Sequence, residues 1–215
     1  MEADFWHSRW KEGRIAFHEG APNRHLTAHF AALDLTAGAH VFLPLCGKTV
    51  DIDWLLSQGL RVSGIELNRE AVLEVFERLA LVPEISEIGG LTRFAAGELV
   101  LWFGDFFALQ GADLGPVDAI YDRAALVALP AKMRPDYAKS LGRLCPGRPQ
   151  FLISYDYDQS QTDGPPFSVP EAEIRSLYRG HFQIERLASA AIEGPLRDRC
   201  TGREEAWRLT PIDRA

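Results

Sequence analysis

The residues of this chain whose types suit chemistry stand directly after short apolar runs. They are Cys46, Gly47 and Lys48 in "PLCGKT", Glu66 in "GIEL", Gly104 and Asp105 in "WFGD", and Asp122 and Arg123 in "YDRAAL". The triplet Gly-Lys-Thr ends a nucleotide-binding P-loop, but that loop needs a glycine five residues before Gly47, and position 42 is Phe. The turn also lacks the GxGxxG of a pyrophosphate binder, which suits a ligand without phosphates. Glu66 lies about 20 residues beyond this first turn, where an acidic side chain accepts hydrogen bonds from both hydroxyls of a ribose. Its alternative is a surface carboxylate near the cap of the next helix, a post that Asn68 already fills.

A ribose without a pyrophosphate is what S-adenosylmethionine offers. Arg123 is the residue without a structural motive, since helix entry calls only for a small polar cap. A guanidinium keeps its proton under ordinary conditions, so it would stabilise an anionic acceptor atom. The alternative is a salt bridge to Asp122 or Asp105, and Asp122 itself reads as a helix N-cap. Tyr157 of "YDYD" and Phe167 of "GPPF" could line an apolar acceptor slot. His25 and His29 have helical spacing but neither a third ligand nor an HExxH context, so no metal is expected. Cys46 follows a strand but has no identifiable base to make it a nucleophile.

Strand ends position ligands in open parallel sheets, and the rhythm of the chain predicts such a sheet. "HVFLPL" and "RVSGIEL" read as buried strands, followed by helices at "TVDIDWLLSQG" and "NREAVLEVFERLAL". Strand, helix, strand, helix implies a parallel sheet with right-handed crossovers. "LTRFAAGELVLWFGD" predicts a strand pair turning at "AAGE". "PVDAIYDRAAL" predicts a strand entering a helix, "MRPDYAKSLGRLC" a helix and "PQFLISYDYD" a strand. "QSQTDGPPFSVPE" is a loop, "PEAEIRSLY" a helix, and "FQIERLA" and "EEAWRL" are terminal strands. Phe5, Trp6 and Trp10 suit one face of an N-terminal helix, and Leu26, Phe30 and Leu33 a second helix.

The 215 residues suit one α/β domain, 1–215, with 47% hydrophobic and 25% charged residues, a globular composition. A formal charge of −7 with no basic cluster argues against nucleic acid. No apolar run reaches the roughly 20 residues of a membrane span, and "MEADFWHSRWKEG" lacks the apolar core of a signal peptide, so the cytoplasm is expected. Three dispersed cysteines suggest reduced thiols.

"FWHSRWKEGRIAFHEG", "PLCGKTVDIDWL", "GIELNREAV", "GDFFAL", "YDRAALVALP", "MRPDYA" and "GPPFSV" together resemble the thiopurine S-methyltransferase family in its bacterial form, collinearly from about Phe5 to Leu187. The resemblance implies a seven-stranded, mostly parallel Rossmann-like methyltransferase sheet with helices on both faces and an N-terminal helical cover over 1–36. It implies S-adenosylmethionine as cofactor, S-adenosylhomocysteine as product, no metal, and direct methyl transfer by a monomeric enzyme to an aromatic or heterocyclic thiol such as a thiopurine; the alternatives are a related thiol, halide, thiocyanate or selenium- or tellurium-oxyanion methyltransferase, or a non-catalytic S-adenosylmethionine-binding protein. Position by position, Trp10, Leu45, Glu66 and Arg123 match the family's cofactor contacts, Gly104 and Asp105 a contact at the adenine end, and Phe17 a position facing the acceptor. The resemblance also implies a second arginine near the pocket, for which Arg197 and Arg199 are the candidates. After Leu187 the chain departs from the pattern: "ASAAIEGPLRDRCTGREEAWRLT" looks shortened and poor in apolar residues where a strand would pair.

Overall fold

The structure, a computed structural model, describes Trp6, Ser8 and residues 20–212. Asn23 opens α1 (Arg24–His29), its Oδ1 accepting from the N–H groups of His25 and Leu26 at 2.9 and 3.3 Å. A 3-10 turn, Phe30–Leu33, extends it. There follow β1 (His40–Leu43), α2 (Asp51–Ser57), β2 (Arg61–Glu66), α3 (Arg69–Arg78), β3 (Glu84–Ile88), β4 (Leu91–Ala96) and β5 (Leu99–Phe103). The chain continues through α4 (Gly111–Leu114), β6 (Ala119–Asp122), α5 (Arg134–Leu144), β7 (Gln150–Tyr157), α6 (Glu171–Tyr178), β8 (Phe182–Ala191) and β9 (Gly202–Pro211). Asn68 caps α3 as its sequence predicts, accepting from the Ala71 N–H at 2.9 Å.

All the strands join one sheet in the order β3-β4-β5-β2-β1-β6-β7-β9-β8. The five central strands, β5 to β7 in that order, pair in parallel, and the strands outside them pair antiparallel. From β1 the chain moves outward to β2 and β5, then returns to β6 on the other side of β1. That reversal opens a crevice at the carboxyl ends of β1 and β6.

β1 is buried along its whole length because both faces of the sheet are covered. Alternation sends Val41 and Leu43 into one core with Leu26, Ile52, Leu55, Val72 and Phe76, and Phe42 into another with Tyr137, Leu141 and Ile174. Helices α1, α2 and α3 therefore cover one face, and α5 and α6 the other.

Three expectations need correction. Among the described residues the sheet has nine strands rather than seven, because residues 84–96 form a hairpin that adds β3 and β4 beyond β5. Gly89 and Gly90 take positive φ at its tip, as a two-residue hairpin turn requires. The chain after β6 does not enter an α-helix at once: Ala124 is left-handed at φ 62°, and two 3-10 turns, Leu126–Ala128 and Ala131–Met133, precede α5. Finally, the segment after Leu187 does pair, since β8 runs on to Ala191 against β9. Of the cover expected over 1–36, residues 1–5, 7 and 9–19 lie outside the described residues; in the described part the 3-10 turn after α1 packs Phe30 against Trp54 of α2 and Phe151 of β7.

Candidate functional site

Beyond Leu43 the chain turns sharply, with Leu45 left-handed at φ 46° and Gly47 at φ 55°. A non-glycine residue keeps that conformation only where its surroundings impose it, at a cost of order 1–3 kcal/mol. Two bonds to β2 impose it here: Cys46 N–H donates to Ile65 O at 3.0 Å, and Gly47 N–H to Glu66 Oε2 at 2.8 Å. Gly64 permits the approach, because a Cβ there would lie 2.7 Å from Cys46 Sγ and 3.2 Å from Leu43 O. Lys48 pairs with Glu74 of α3, an engagement unlike that of a P-loop lysine.

Glu66 is thus held by the turn it organises. Its other oxygen, Oε1, accepts from Asn68 N–H at 2.8 Å, and the residue is 7% exposed. Burial pushes its carboxyl up to about 7, against the N–H groups of Asn68, Gly47 and Leu67, which favour the charged form. A carboxylate offers about four acceptor positions, so both oxygens retain capacity for hydroxyl donors.

Next to it, Gly104 directly follows β5 with φ 142° and donates its N–H to Glu66 O at 2.9 Å. A Cβ there would collide with Leu91 Cδ2. Asp105 is exposed, and its Oδ1 accepts from Phe107 N–H at 2.9 Å to cap a 3-10 turn.

On the other side of β1, Asp122 is fully buried, with Oδ1 accepting from Leu126 N–H at 3.1 Å and Oδ2 from Tyr137 OH at 2.7 Å. It ties down a loop instead of capping an α-helix. Burial pushes its carboxyl up to about 6. Arg123 is 9% exposed, and its charge is felt at Tyr121, whose hydroxyl is pushed up chiefly by burial and by Asp51.

Strand pairing sets these groups in one row along the carboxyl edge: Gly104 and Asp105 after β5, Glu66 ending β2, Leu45 after β1, and Arg123 after β6. Tyr157 ends β7, the next strand; its hydroxyl donates to Pro166 O at 2.6 Å and accepts from Gln159 Nε2 at 3.2 Å, and its ring is buried in a small cluster with Ile192, Leu196 and Cys200. Phe167 donates its N–H to Val127 O at 2.7 Å, and its ring lies 5.8 Å from the Arg134 guanidinium. Arg197 is exposed near Asp198, and Arg199 donates to Thr162 Oγ1. Trp10 and Phe17 lie outside the described residues. The rings of His25 and His29 stack 6.2 Å apart, and no group of three potential metal ligands occurs among the described residues.

The sequence reading missed a buried polar cluster beside this row. Asp51, 1% exposed, accepts from Asn23 N–H at 2.7 Å and from Tyr121 OH at 2.9 Å. Glu204 accepts from Asn23 Nδ2 at 3.1 Å, and its other oxygen lies 3.6 Å from His25 Nε2, whose pKa burial lowers. Asp51 looks like an ordinary first-turn acid. The legible signal was "EEAW": two adjacent acids in a strand point to opposite faces, and in a covered sheet both are buried.

A doubly covered sheet with this chain reversal and an acidic residue ending β2 is the framework of the S-adenosylmethionine-dependent methyltransferase class, and the family match places the chain in that class. The chain belongs to the thiopurine S-methyltransferase family, whose model matches residues 1–209. It is 50% identical over 210 residues to a thiopurine S-methyltransferase of Xanthobacter autotrophicus, covering 97% of this chain and 99% of that one. A second thiopurine S-methyltransferase, from Teredinibacter turnerae, is 45% identical, covering 98% of each. Among solved structures, a Burkholderia thailandensis 1,6-didemethyltoxoflavin-N1-methyltransferase with bound S-adenosylhomocysteine has a TM-score of 0.66 at 18% identity, covering 97% of this chain and 87% of that one. A methyltransferase of Anabaena variabilis has a TM-score of 0.63 at 14% identity, covering 98% and 95%. These two establish likeness of fold. No helix among the described residues is long and apolar enough to cross a membrane.

Proposed function

We propose that this enzyme transfers the methyl group of S-adenosylmethionine to the sulfur of an aromatic or heterocyclic thiol, thiopurines such as 6-mercaptopurine included. The observation that carries the proposal is the 50% identity, nearly end to end in both chains, to a relative named for that activity. Bound S-adenosylmethionine supplies an electrophilic methyl on a sulfonium. The chain's own residues have to bind, orient and exclude water, and orientation alone is worth roughly 7 to 11 kcal/mol of a barrier.

In this reading Glu66 accepts from the ribose hydroxyls with the capacity its backbone donors leave over. The Leu45 turn brings main chain close to the cofactor, and Gly104 and Asp105 serve the adenine end, with Trp10 completing the contacts. Arg123 holds positive charge where the acceptor sulfur is anionic, and a planar guanidinium can serve the cofactor as well. Phe17, Tyr157 and Phe167 offer aromatic surface to the acceptor. An aromatic thiol ionises readily, so no dedicated base is assigned.

The test is incubation with methyl-labelled S-adenosylmethionine and separate acceptors: 6-mercaptopurine, a thiophenol, iodide, thiocyanate and selenite. Label on the sulfur of the first two is expected. Turnover with the inorganic acceptors alone would replace the substrate class. Cofactor binding without turnover on any acceptor would make the protein a sensor.

A further inference from the structure

Arg123 follows the carboxyl end of β6 on an unusual piece of backbone, and the groups that hold this backbone lie on the face of the sheet covered by α5 and α6. Alternation along β6 sends Tyr121 toward Asp51 and α2, and Asp122 the opposite way, into the core beneath α5 and α6. Immediately after Arg123, Ala124 stands at φ 62°, a conformation an alanine holds only where its surroundings over-determine it. Those surroundings are the Asp122 carboxylate. One oxygen accepts from Leu126 N–H at 3.1 Å, closing the turn across residues 123–125, and the other accepts from Tyr137 OH at 2.7 Å.

Both side chains are fully buried. The groups facing Asp122 from the packed elements are Tyr137 of α5 and Tyr178 of α6. Tyr178 is 2% exposed, and its hydroxyl has no hydrogen-bond partner among the described residues. Tyr137 therefore supplies the side-chain donor that fixes the carboxylate. The clamped loop has a second load, for Val127 O accepts the Phe167 N–H at 2.7 Å and so ties the "GPPF" segment to the same turn.

We propose that Tyr137 and Asp122 are positioning residues that act through Arg123, their buried hydrogen bond holding the left-handed turn that aims the guanidinium into the site. The proposal rests on the reading of Arg123 as a functional residue. Without the Tyr137 hydroxyl the carboxylate keeps only the backbone donors of Leu126 and Ala125, it can rotate within the core, and the restraint on the turn at Ala124 weakens. Arg123 then keeps its charge and loses its direction. Tyr137→Phe would thus impair the site although Tyr137 is buried in the core on the face covered by α5 and α6.

The experiment is a double-mutant cycle of Tyr137→Phe and Arg123→Lys in the full chain. It measures kcat and KM for 6-mercaptopurine at saturating S-adenosylmethionine, with urea midpoints for all four proteins. In the otherwise native enzyme, Tyr137→Phe is expected to lower kcat/KM about ten- to a hundredfold, the scale of a small misplacement. In the Arg123→Lys background the same change should cost less than about twofold, since no fork remains to be aimed, while the urea midpoint falls equally in both backgrounds. An equal fold loss in both backgrounds, or no loss in the native one, overturns the proposal. An Arg123→Lys enzyme with full activity removes the functional reading of Arg123 and the proposal with it, whereas an impaired one with additive losses removes the proposal alone. If Tyr137→Phe does not fold, Asp122→Ala carries the same cycle, because it removes the acceptor of both the Tyr137 and the Leu126 bond.

Discussion

Glu66 makes a prediction that depends on both its charge and its burial. Its carboxyl titrates at about 7 in the folded chain against an ordinary 4.5, because burial outweighs the stabilisation from its backbone donors. If ribose hydroxyls bind the ionised form, then one pH unit below this value about a tenth of the protein is competent. The apparent affinity should fall about tenfold, or ~1.4 kcal/mol. Binding should accordingly release a proton near neutral pH. The assay is calorimetric titration with S-adenosylhomocysteine at pH 8, 7 and 6 in two buffers of different ionisation enthalpy.

Glu66→Gln supplies the control. A glutamine offers one carbonyl oxygen where Gly47 and Asn68 present two N–H donors, so one donor is left facing an amide NH2 in a buried place. The expected loss is about 1 to 3 kcal/mol at pH 8, with no remaining dependence between pH 8 and 6. Equal affinity of the native protein at pH 8 and 6, or the same slope in Glu66→Gln, would refute the reasoning. Stability moves the other way: the folded chain holds this proton more tightly than the unfolded one, so the cost of the buried charge is full above about pH 7 and fades as pH falls toward 4.5.

Arg123→Lys keeps the charge but replaces a planar fork with a point charge, and its kcat should fall at least about tenfold in steady-state assays; an unchanged kcat removes Arg123 from the mechanism. Gly104→Ala would place a Cβ against Leu91 at φ 142°, a glycine conformation, and should cost about 1 to 3 kcal/mol in urea denaturation and weaken S-adenosylhomocysteine binding. Tyr121→Phe removes the donor to buried Asp51 and should cost about 1 to 3 kcal/mol of stability, read from the urea midpoint. A midpoint within experimental error of the native one would contradict that account of the cluster.

The parallel core of the fold was legible because its strands are short apolar runs and its helices have apolar spacing, with Asn68 marking the start of α3. The hairpin strand β3 was not, since every residue of Glu84–Ile88 is exposed or half-buried and leaves no alternating apolar face. Strand β8 was underestimated for a related reason: "ASAA" carries small side chains, and its pairing is fixed by β9 rather than by local pattern. After β6, the apolar run "AALVALP" has helical composition, yet the Asp122 carboxylate takes the N–H of Leu126 and forces a left-handed alanine before any helix can start. At the site, strand ends could be located from sequence, and Glu66 and Arg123 with them. The Asp51, Tyr121 and Glu204 cluster could not, because its partners are distant in sequence and meet only across the closed sheet.

The central claim is methyl transfer to an aromatic sulfur, and the most direct measurement is the product of one reaction. The enzyme is incubated with 6-mercaptopurine and methyl-labelled S-adenosylmethionine, and the purine is isolated for mass and NMR analysis. The account predicts label on the exocyclic sulfur, with one S-adenosylhomocysteine formed per methylated purine. Label on a ring nitrogen, or S-adenosylhomocysteine formed at a rate independent of the thiol, would contradict it.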